Sequence, residues 1–342
     1  MKLTPRVTIC VPTYNAEATL AKTLQSIVAQ RFQDLRIIVV DNASTDSTVA
    51  IAQEFAGRDS RIEIIRNETN IGGEANYNKC IALATGDFTT IHHADDIYAP
   101  DIIGDQVAAF DADSSLGAVF TNAHIIDEAE HRIGAAAIPR RVFYQFQGRL
   151  SYPQALKLVL QFGNFFMSPS AMVRTALWQR VGGFRGELFK TSSDLDSWLR
   201  LLKTGYAAKI LEAPLLNYRA SVHSISFNLK RERLGPHDIL LVLDHYATGE
   251  AAILDARDRK NHAFYHFKDA VNRSINLIIT GDTRTARQLI TSRVSPSVLA
   301  AATHSATQAK LFLVGTATWL LTFVCRTEAC RAWLREKRFS RT

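Results

Sequence analysis

The feature that most constrains this chain is a fourfold succession of β-rich run, polar loop and helical run within roughly the first hundred residues. Residues 7–11 are β-rich and stop at Pro12; Thr13, Tyr14 and Asn15 then supply turn chemistry before a helical pattern over 18–30, with Leu20, Leu24, Ile27 and Val28 on one face. Residues 35–40 are nearly all apolar and run into Asp41-Asn42-Ala43-Ser44-Thr45-Asp46, as a buried parallel strand emptying into a polar loop would. Ser44 or Thr45 is the expected cap of the helix that follows through Phe55. Residues 62–65 lead through an Asn- and Gly-rich loop to a helix over 74–84, and residues 88–91 form a fourth strand. Such a succession specifies an α/β fold, a mostly parallel sheet flanked by helices, whose right-handed crossovers set all the polar loops along one edge.

The fourth strand ends in His92-His93-Ala94-Asp95-Asp96. Ligands bind at such strand ends in open α/β sheets. Paired carboxylates there can hold a divalent cation against phosphate oxygens. The competing reading is an Asx-type turn in which Asp96 caps the next helix. No loop carries the glycine spacing of a dinucleotide fold or a P-loop, so a phosphate-bearing ligand would need a metal. The formal charge of +7 suits an acidic substrate or an anionic membrane surface. The basic residues are dispersed in the main domain and concentrated in the tail, with no RNA- or DNA-binding motif, and no nucleic-acid partner is expected. Four cysteines, Cys10, Cys80, Cys325 and Cys330, share no metal-like or framework spacing. Cytoplasm is the expected compartment, since no charged region followed by a long apolar signal segment opens the chain.

Taken in order, Val11-Pro12-Thr13-Tyr14-Asn15-Ala16-Glu17, Val40-Asp41-Asn42-Ala43-Ser44-Thr45-Asp46, Asn70-Ile71-Gly72 with Asn78 downstream, Gly86-Asp87 and Ala94-Asp95-Asp96 spell a recognisable pattern. Across residues 6–228 the chain resembles the family-2 glycosyltransferases, whose nucleotide-sugar-binding domain has the GT-A fold. The resemblance implies donor contacts from Thr13, Tyr14, Asn15, Glu17, Asp41, Asn70, Asn78 and Asp95. For Asn42, plain turn chemistry is preferred over ligand contact. The family's metal motif is usually Asp-x-Asp, and here its first position is His93; Asp95 matches the carboxylate that reaches the cation, with His93 and Asp96 as secondary candidates. Imidazole favours manganese over magnesium, whereas His92 reads as a strand-end residue without a ligand. The segment Ser192-Ser193-Asp194-Leu195-Asp196-Ser197-Trp198 resembles the family's Glu-Asp motif, placing Asp194 where the catalytic base belongs and Ser193 where Glu is commoner, with Asp196 as the rival. His223 is the candidate second metal ligand.

The resemblance thus implies a GT-A-type domain over 1–228 that inverts one anomeric centre, moving a sugar from a nucleotide diphosphate sugar to a glycan or lipid-linked acceptor with Mn2+ or Mg2+, in cell-surface polysaccharide or glycolipid assembly. A non-catalytic nucleotide-sugar-binding or scaffold protein, motivated by His93 and Ser193, and a nucleotidyltransferase on a related fold are the alternatives. Residues 124–150 are less regular and read as an insertion or flap near the acceptor side, or as a solvated charge pair beside packing aromatics. Residues 229–342 read as a helical appendage with an apolar helix at about 311–325. That helix is short of the roughly 30 Å hydrocarbon layer, so the expectation is peripheral contact at the inner face of the membrane through it and the basic tail, or packing on the protein.

Overall fold

The structure, a computed structural model, describes residues 5–220, 233–303, 306–325 and 327–339. They fall into two compact units: residues up to 155 with 165–220, and residues 156–164 with the described residues beyond 220. The first unit opens with β1 (Val7–Thr13), α1 (Leu20–Val28), β2 (Leu35–Asp41), α2 (Thr48–Arg58), β3 (Ile62–Arg66), α3 (Gly73–Leu83) and β4 (Phe88–Ile91). It continues through β5 (Ile97–Tyr98), α4 (Ile102–Ala112), β6 (Leu116–Ile126), β7 (Arg132–Ala136), α5 (Arg140–Phe146) and β8 (Arg149–Leu150). After α6 (Tyr152–Phe162), most of which belongs to the second unit, come β9 (Met172–Arg174), α7 (Thr175–Val181), α8 (Gly186–Phe189), α9 (Ser193–Lys203) and β10 (Ala207–Arg219).

One sheet carries the unit, in the order β3-β2-β1-β4-β9-β6-β10-β5, with β7 on β6 and β8 on β10. The long ladders, β1 with β2 and β4, β2 with β3, and β6 with β10, are parallel; the short strands β5, β7, β8 and β9 pair antiparallel. Ile37, Ile38, Val39 and Val40 are buried on both faces of β2, which is why that strand has no polar alternation. Each such side chain contributes about 1.5–3 kcal/mol on burial.

Two local expectations need correction. Neither Ser44 nor Thr45 caps α2; the helix starts at Thr48 behind Ser47, and Glu17 Oε2 and Asp46 Oδ1 accept from the N–H groups of Ser47 and Thr48 (2.9 and 3.0 Å). Carboxylates suit that position because the helix N-terminus carries partial positive charge. Residues 124–150 hold regular structure, the end of β6 with β7, α5 and β8. β10 runs through Pro214, which sits between two register shifts, where the ladder tolerates a missing donor.

The second unit is helical: α10 (Ile239–Gly249), α11 (Ala256–Thr280), α12 (Thr283–Arg293), α13 (Pro296–Ala302), α14 (Ala306–Val324) and α15 (Glu328–Phe339). Asp255 and Asp258 form a capping box on α11, and Asp282 and Ser295 cap α12 and α13. Phe264, Phe267 and Val271 of α11 pack with Ile290 and Val298. On α14 the buried residues are Gly315, Thr318 and Thr322, while Leu313, Leu320 and Val324 are 67, 54 and 70% exposed. Gly315 lets the helix close against Phe267 and Val271, which a Cβ would meet at 2.5 and 3.0 Å. No helix among the described residues is long and apolar enough to cross a membrane. Cys325 and Cys330 are joined by a disulfide, although the cysteines show no framework spacing in the sequence; their five-residue separation brings the Cα atoms to 5.3 Å. Cys10 and Cys80 are free and buried.

Candidate active site

The parallel order brings the C-terminal ends of β1, β2 and β4 to one sheet edge, and the loops there interlock. Asn15 is in the left-handed region (φ +48°), which a short polar side chain tolerates. Its Oδ1 accepts from Thr45 N at 2.9 Å while its own N–H donates to Ser44 Oγ at 2.9 Å, so the first and second loops cross-brace. Glu17 extends the brace, its N–H donating to Asp46 Oδ2. Asp41, only 1% exposed, lies at the floor of this pair: Oδ2 accepts from Ser44 N at 3.1 Å and sits 3.4 Å from the Arg66 guanidinium, and Oδ1 accepts from Thr13 Oγ1 at 3.5 Å. Tyr14 is half exposed at the rim. Asn42 knits the loops into a network: its Nδ2 donates to Asn70 Oδ1, and its Oδ1 accepts from Asn67 Nδ2 and the Ile71 N–H. Asn70 is part of that network, its Oδ1 accepting from Asn42 Nδ2 and Gly72 N.

Beyond β4 the chain makes the tight turn that carries His93, Asp95 and Asp96, each offering a ligand atom within 4.8 Å of the others. Asp96 is fully buried and does not cap α4; its Oδ1 accepts from Arg219 N at 2.8 Å, and its Oδ2 has no hydrogen-bond partner among the described residues. Burial, with Asp95 close by, pushes the Asp96 carboxyl well above the usual range despite Arg219. His93 Nδ1 lies 3.9 Å from Asp96 Oδ2; its backbone N–H donates to Tyr98 Oη at 2.7 Å, its ring meets the edge of Tyr77, and burial holds its imidazole below the ordinary value against the pull of Asp95. His92 points the other way into the core, stacked on Tyr98 with ring centroids 3.6 Å apart, and both ring nitrogens lack partners among the described residues. Burial holds it neutral, well below the ordinary histidine pKa.

Asp194 sits in the first turn of α9. Its Oδ2 accepts from Ser168 Oγ at 2.5 Å, and Ser168 Oγ in turn accepts from Trp198 Nε1 at 3.3 Å. The turn Ser168–Ser170 precedes β9, which runs antiparallel to β4 with Met172 opposite Thr90, so this turn lies beside the end of β4 that carries His92 and His93. A run of ring contacts closes the gap: His93 to Tyr77, Tyr77 to Phe184, Phe184 to Trp198, with centroids 5.6, 5.9 and 6.1 Å apart. Asp196 is elsewhere: fully buried, it receives Arg185 at 2.6 and 2.9 Å and Arg200 at 2.9 Å, which makes it an anchor for the 182–185 loop rather than a proton acceptor at the edge. The amide of Asn78, the expected donor contact, is engaged at both ends by the Phe184 backbone (2.9 and 2.8 Å). His223 lies outside the described residues.

Sequence reasoning missed two residues. Glu74, at the start of α3, accepts from Gly186 N and from Ser193 Oγ (2.5 and 3.1 Å), so a carboxylate from another element stands beside the position where Ser193 replaces Glu. Arg219, 5% exposed, ties the Asp95 carbonyl, the Asp127 and Glu128 carbonyls and the Glu130 carboxylate together. Nothing local marks either residue; only the neighbouring helix of one and the register of β10 for the other reveal them.

The chain matches the model of glycosyl transferase family 2 over residues 8–178, a stretch that ends before Asp194. It is 30% identical over 217 residues to EpsE of Bacillus subtilis (strain 168), covering 63% of this chain and 73% of that one. It is 28% identical over 217 residues to the uncharacterized glycosyltransferase MJ1057 of Methanocaldococcus jannaschii, covering 63% and 71%. Among solved structures it is similar to S. aureus TarS 1-349 in complex with UDP-GlcNAc (TM-score 0.60, 18% identity, 98% of this chain and 93% of that one). It is also similar to the mannosyltransferase PcManGT from Pyrobaculum calidifontis in complex with GDP-Man and Mn2+ (TM-score 0.51, 18% identity, 100% and 89%). Those two likenesses establish the GT-A fold seen in the sheet. With the family match spanning half its length and carrying the loops just described, this chain belongs to glycosyl transferase family 2 and is a glycosyltransferase.

Proposed function

We propose that this glycosyltransferase moves one sugar from a nucleotide diphosphate sugar to an acceptor hydroxyl with inversion at the anomeric carbon. The observation that carries the reading is convergence at one sheet edge: the braced Asn15–Thr45 loops, the His93, Asp95 and Asp96 turn, and Asp194 joined to that turn by contiguous aromatic packing. The two structures of like fold hold UDP-GlcNAc, or GDP-Man with Mn2+, which supports a donor of this class here. Thr13, Tyr14, Asn15, Glu17 and Asp41 form the nucleotide side, with Asn70 bracing the loop behind them.

The residues present fit a divalent cation, because the buried Asp96 Oδ2 has no donor among the described residues and lies within 4.8 Å of the other two ligand groups. His93, Asp95 and Asp96 would hold it, and the imidazole favours Mn2+ over Mg2+. When bound, such a cation neutralises charge on the departing diphosphate. Asp194 takes the proton of the acceptor hydroxyl as its oxygen bonds to the anomeric carbon; the bond from that carbon to the diphosphate oxygen breaks, and the nucleoside diphosphate leaves with the electron pair. Ser168 orients the carboxylate for this step. With such a cation in place, no second protein carboxylate would be required as an acid for the leaving group.

The acceptor is a glycan or lipid-linked hydroxyl, and the chain meets a membrane surface peripherally through α14 and α15. Support comes from the exposed Leu313, Leu320 and Val324 on α14 and the exposed Arg335 and Lys337 on α15. The transferase reading is tested by nucleoside diphosphate release from a panel of UDP-, GDP- and dTDP-sugars with Mn2+ or Mg2+ and a membrane-extract acceptor pool. One donor is expected to give acceptor-stimulated release that a chelator abolishes. Donor binding without turnover under every condition would instead make this a nucleotide-sugar-binding protein.

A further inference from the structure

A second cluster of metal-ligating side chains lies in the helical unit, on elements that the transferase reading does not use. His262 and His266 are four residues apart on α11, so both rings leave one face of the helix, one turn apart. Each Nε2 lies 2.7 Å from the same atom, Asp244 Oδ1, on the facing helix α10. The ring bodies are mostly buried, at 24 and 16% exposure, while the Asp244 carboxylate is half exposed. Their rings meet edge to face with centroids 4.9 Å apart. The three ligand atoms therefore converge from a rigid side and an adjustable side, and the adjustable side opens to solvent.

The chemistry of this set differs from that of the sheet edge. Two imidazoles and one carboxylate are the three-ligand pattern of a tetrahedral zinc site whose fourth position is left to water, and two histidines at this helical spacing are a familiar half of such a site. Hard cations such as Mg2+ take oxygen ligands instead. The fit is also close in size. Zinc bonds of about 2.0–2.1 Å in tetrahedral geometry set neighbouring ligand atoms roughly 3.4 Å apart. Each nitrogen-to-oxygen distance must open by about 0.7 Å from its present value, which rotation of a half-exposed carboxylate supplies.

We propose that Asp244, His262 and His266 form a second metal site, for a zinc-type divalent transition cation, that clips α10 to α11 across the 250–255 connection. The site stands on its own side chains and is independent of the donor, the acceptor and the catalytic cation. With no ion bound, the same three groups are an aspartate accepting from two imidazoles, which is the outcome the test must separate from metal binding.

The test is equilibrium dialysis of the full chain against Zn2+ alone, for the native protein, Asp95→Asn, Asp244→Asn and His266→Gln, with Co2+ substituted as a visible-absorption probe of tetrahedral coordination. The expected result is one tightly held Zn2+ per chain that survives Asp95→Asn, with affinity weakened more than about tenfold by each of Asp244→Asn and His266→Gln, and intense cobalt bands lost in the same two variants. Zinc is also expected to raise the melting temperature of native protein and Asp95→Asn only. Zinc uptake lost in Asp95→Asn, or unchanged in both helical variants, would overturn the proposal. Should His266→Gln fail to fold, Asp244→Asn decides alone, since its side chain is half exposed and its loss leaves the packing of α10 intact.

Discussion

At the scale of single residues, three ionisable neighbours at the strand end are set apart by burial first and by their charged neighbours second. Asp95 is partly buried and sits between His93 and Asp96; Asp96 is buried under the Arg219 backbone; His92 is turned into the core against Tyr98. His92 gives a prediction with a definite sign. Its imidazole is held well below 6.5 in the folded chain by burial and by His93, whereas the unfolded chain binds a proton near about 6.5. The unfolded state thus gains protons first as pH falls, so the stability contributed by neutral His92 is complete above pH 6.5 and is lost progressively below it. Urea midpoints at pH 7.5 and 5.5 should fall more steeply for the native protein than for His92→Phe, which keeps the stack on Tyr98. Equal slopes would show that His92 does not carry the acid sensitivity. The position of His92 after a β-run was legible in the sequence; the burial of Asp96 was not, because it depends on the end of β10 more than a hundred residues away.

At the scale of elements, the helix starts and loops that shape the site are held by backbone that only certain residues allow. Gly183 has φ +64°, and a Cβ there would lie 2.3 Å from Asn78 Oδ1, the atom that receives Phe184 N. Gly183→Ala therefore incurs both the left-handed penalty, about 1–2 kcal/mol, and damage to a hydrogen bond worth about 1 kcal/mol. A loss of about 2–3 kcal/mol is expected, read as a shift in denaturation midpoint with unchanged slope. A loss below 0.5 kcal/mol, on the order of an ordinary surface substitution, would mean the Asn78 clamp yields without cost. The βα periodicity made the strands and helices of the first half readable because each is amphipathic or doubly buried on its own. The partners of Asn78 and Asp196 were not legible for the complementary reason: the 182–185 loop folds back onto both side chains from a distant stretch of sequence. Glu74 went unread because its partners, Gly186 and Ser193, are more than a hundred residues distant in sequence.

At the scale of the molecule, the sheet unit holds the chemistry, and the helical unit bears the outward apolar side of α14. Helical periodicity made that unit legible in outline, but an all-round apolar helix does not declare which side faces the protein; the small residues Gly315, Thr318 and Thr322 decided it. If the opposite side rests on lipid, Leu313→Glu with Leu320→Glu should cut co-sedimentation with anionic phosphatidylserine-containing vesicles at least tenfold while release of nucleoside diphosphate to a soluble acceptor is preserved. Unchanged co-sedimentation would rule this face out as the contact. The most direct measurement on the central claim, that Asp194 is the base acting on a donor held at the sheet edge, is paired calorimetric donor binding and steady-state turnover for native protein and Asp194→Asn. The expected result is donor affinity within about twofold of native and turnover reduced about 10²–10⁴-fold. Native turnover in Asp194→Asn, with donor affinity retained, would contradict it.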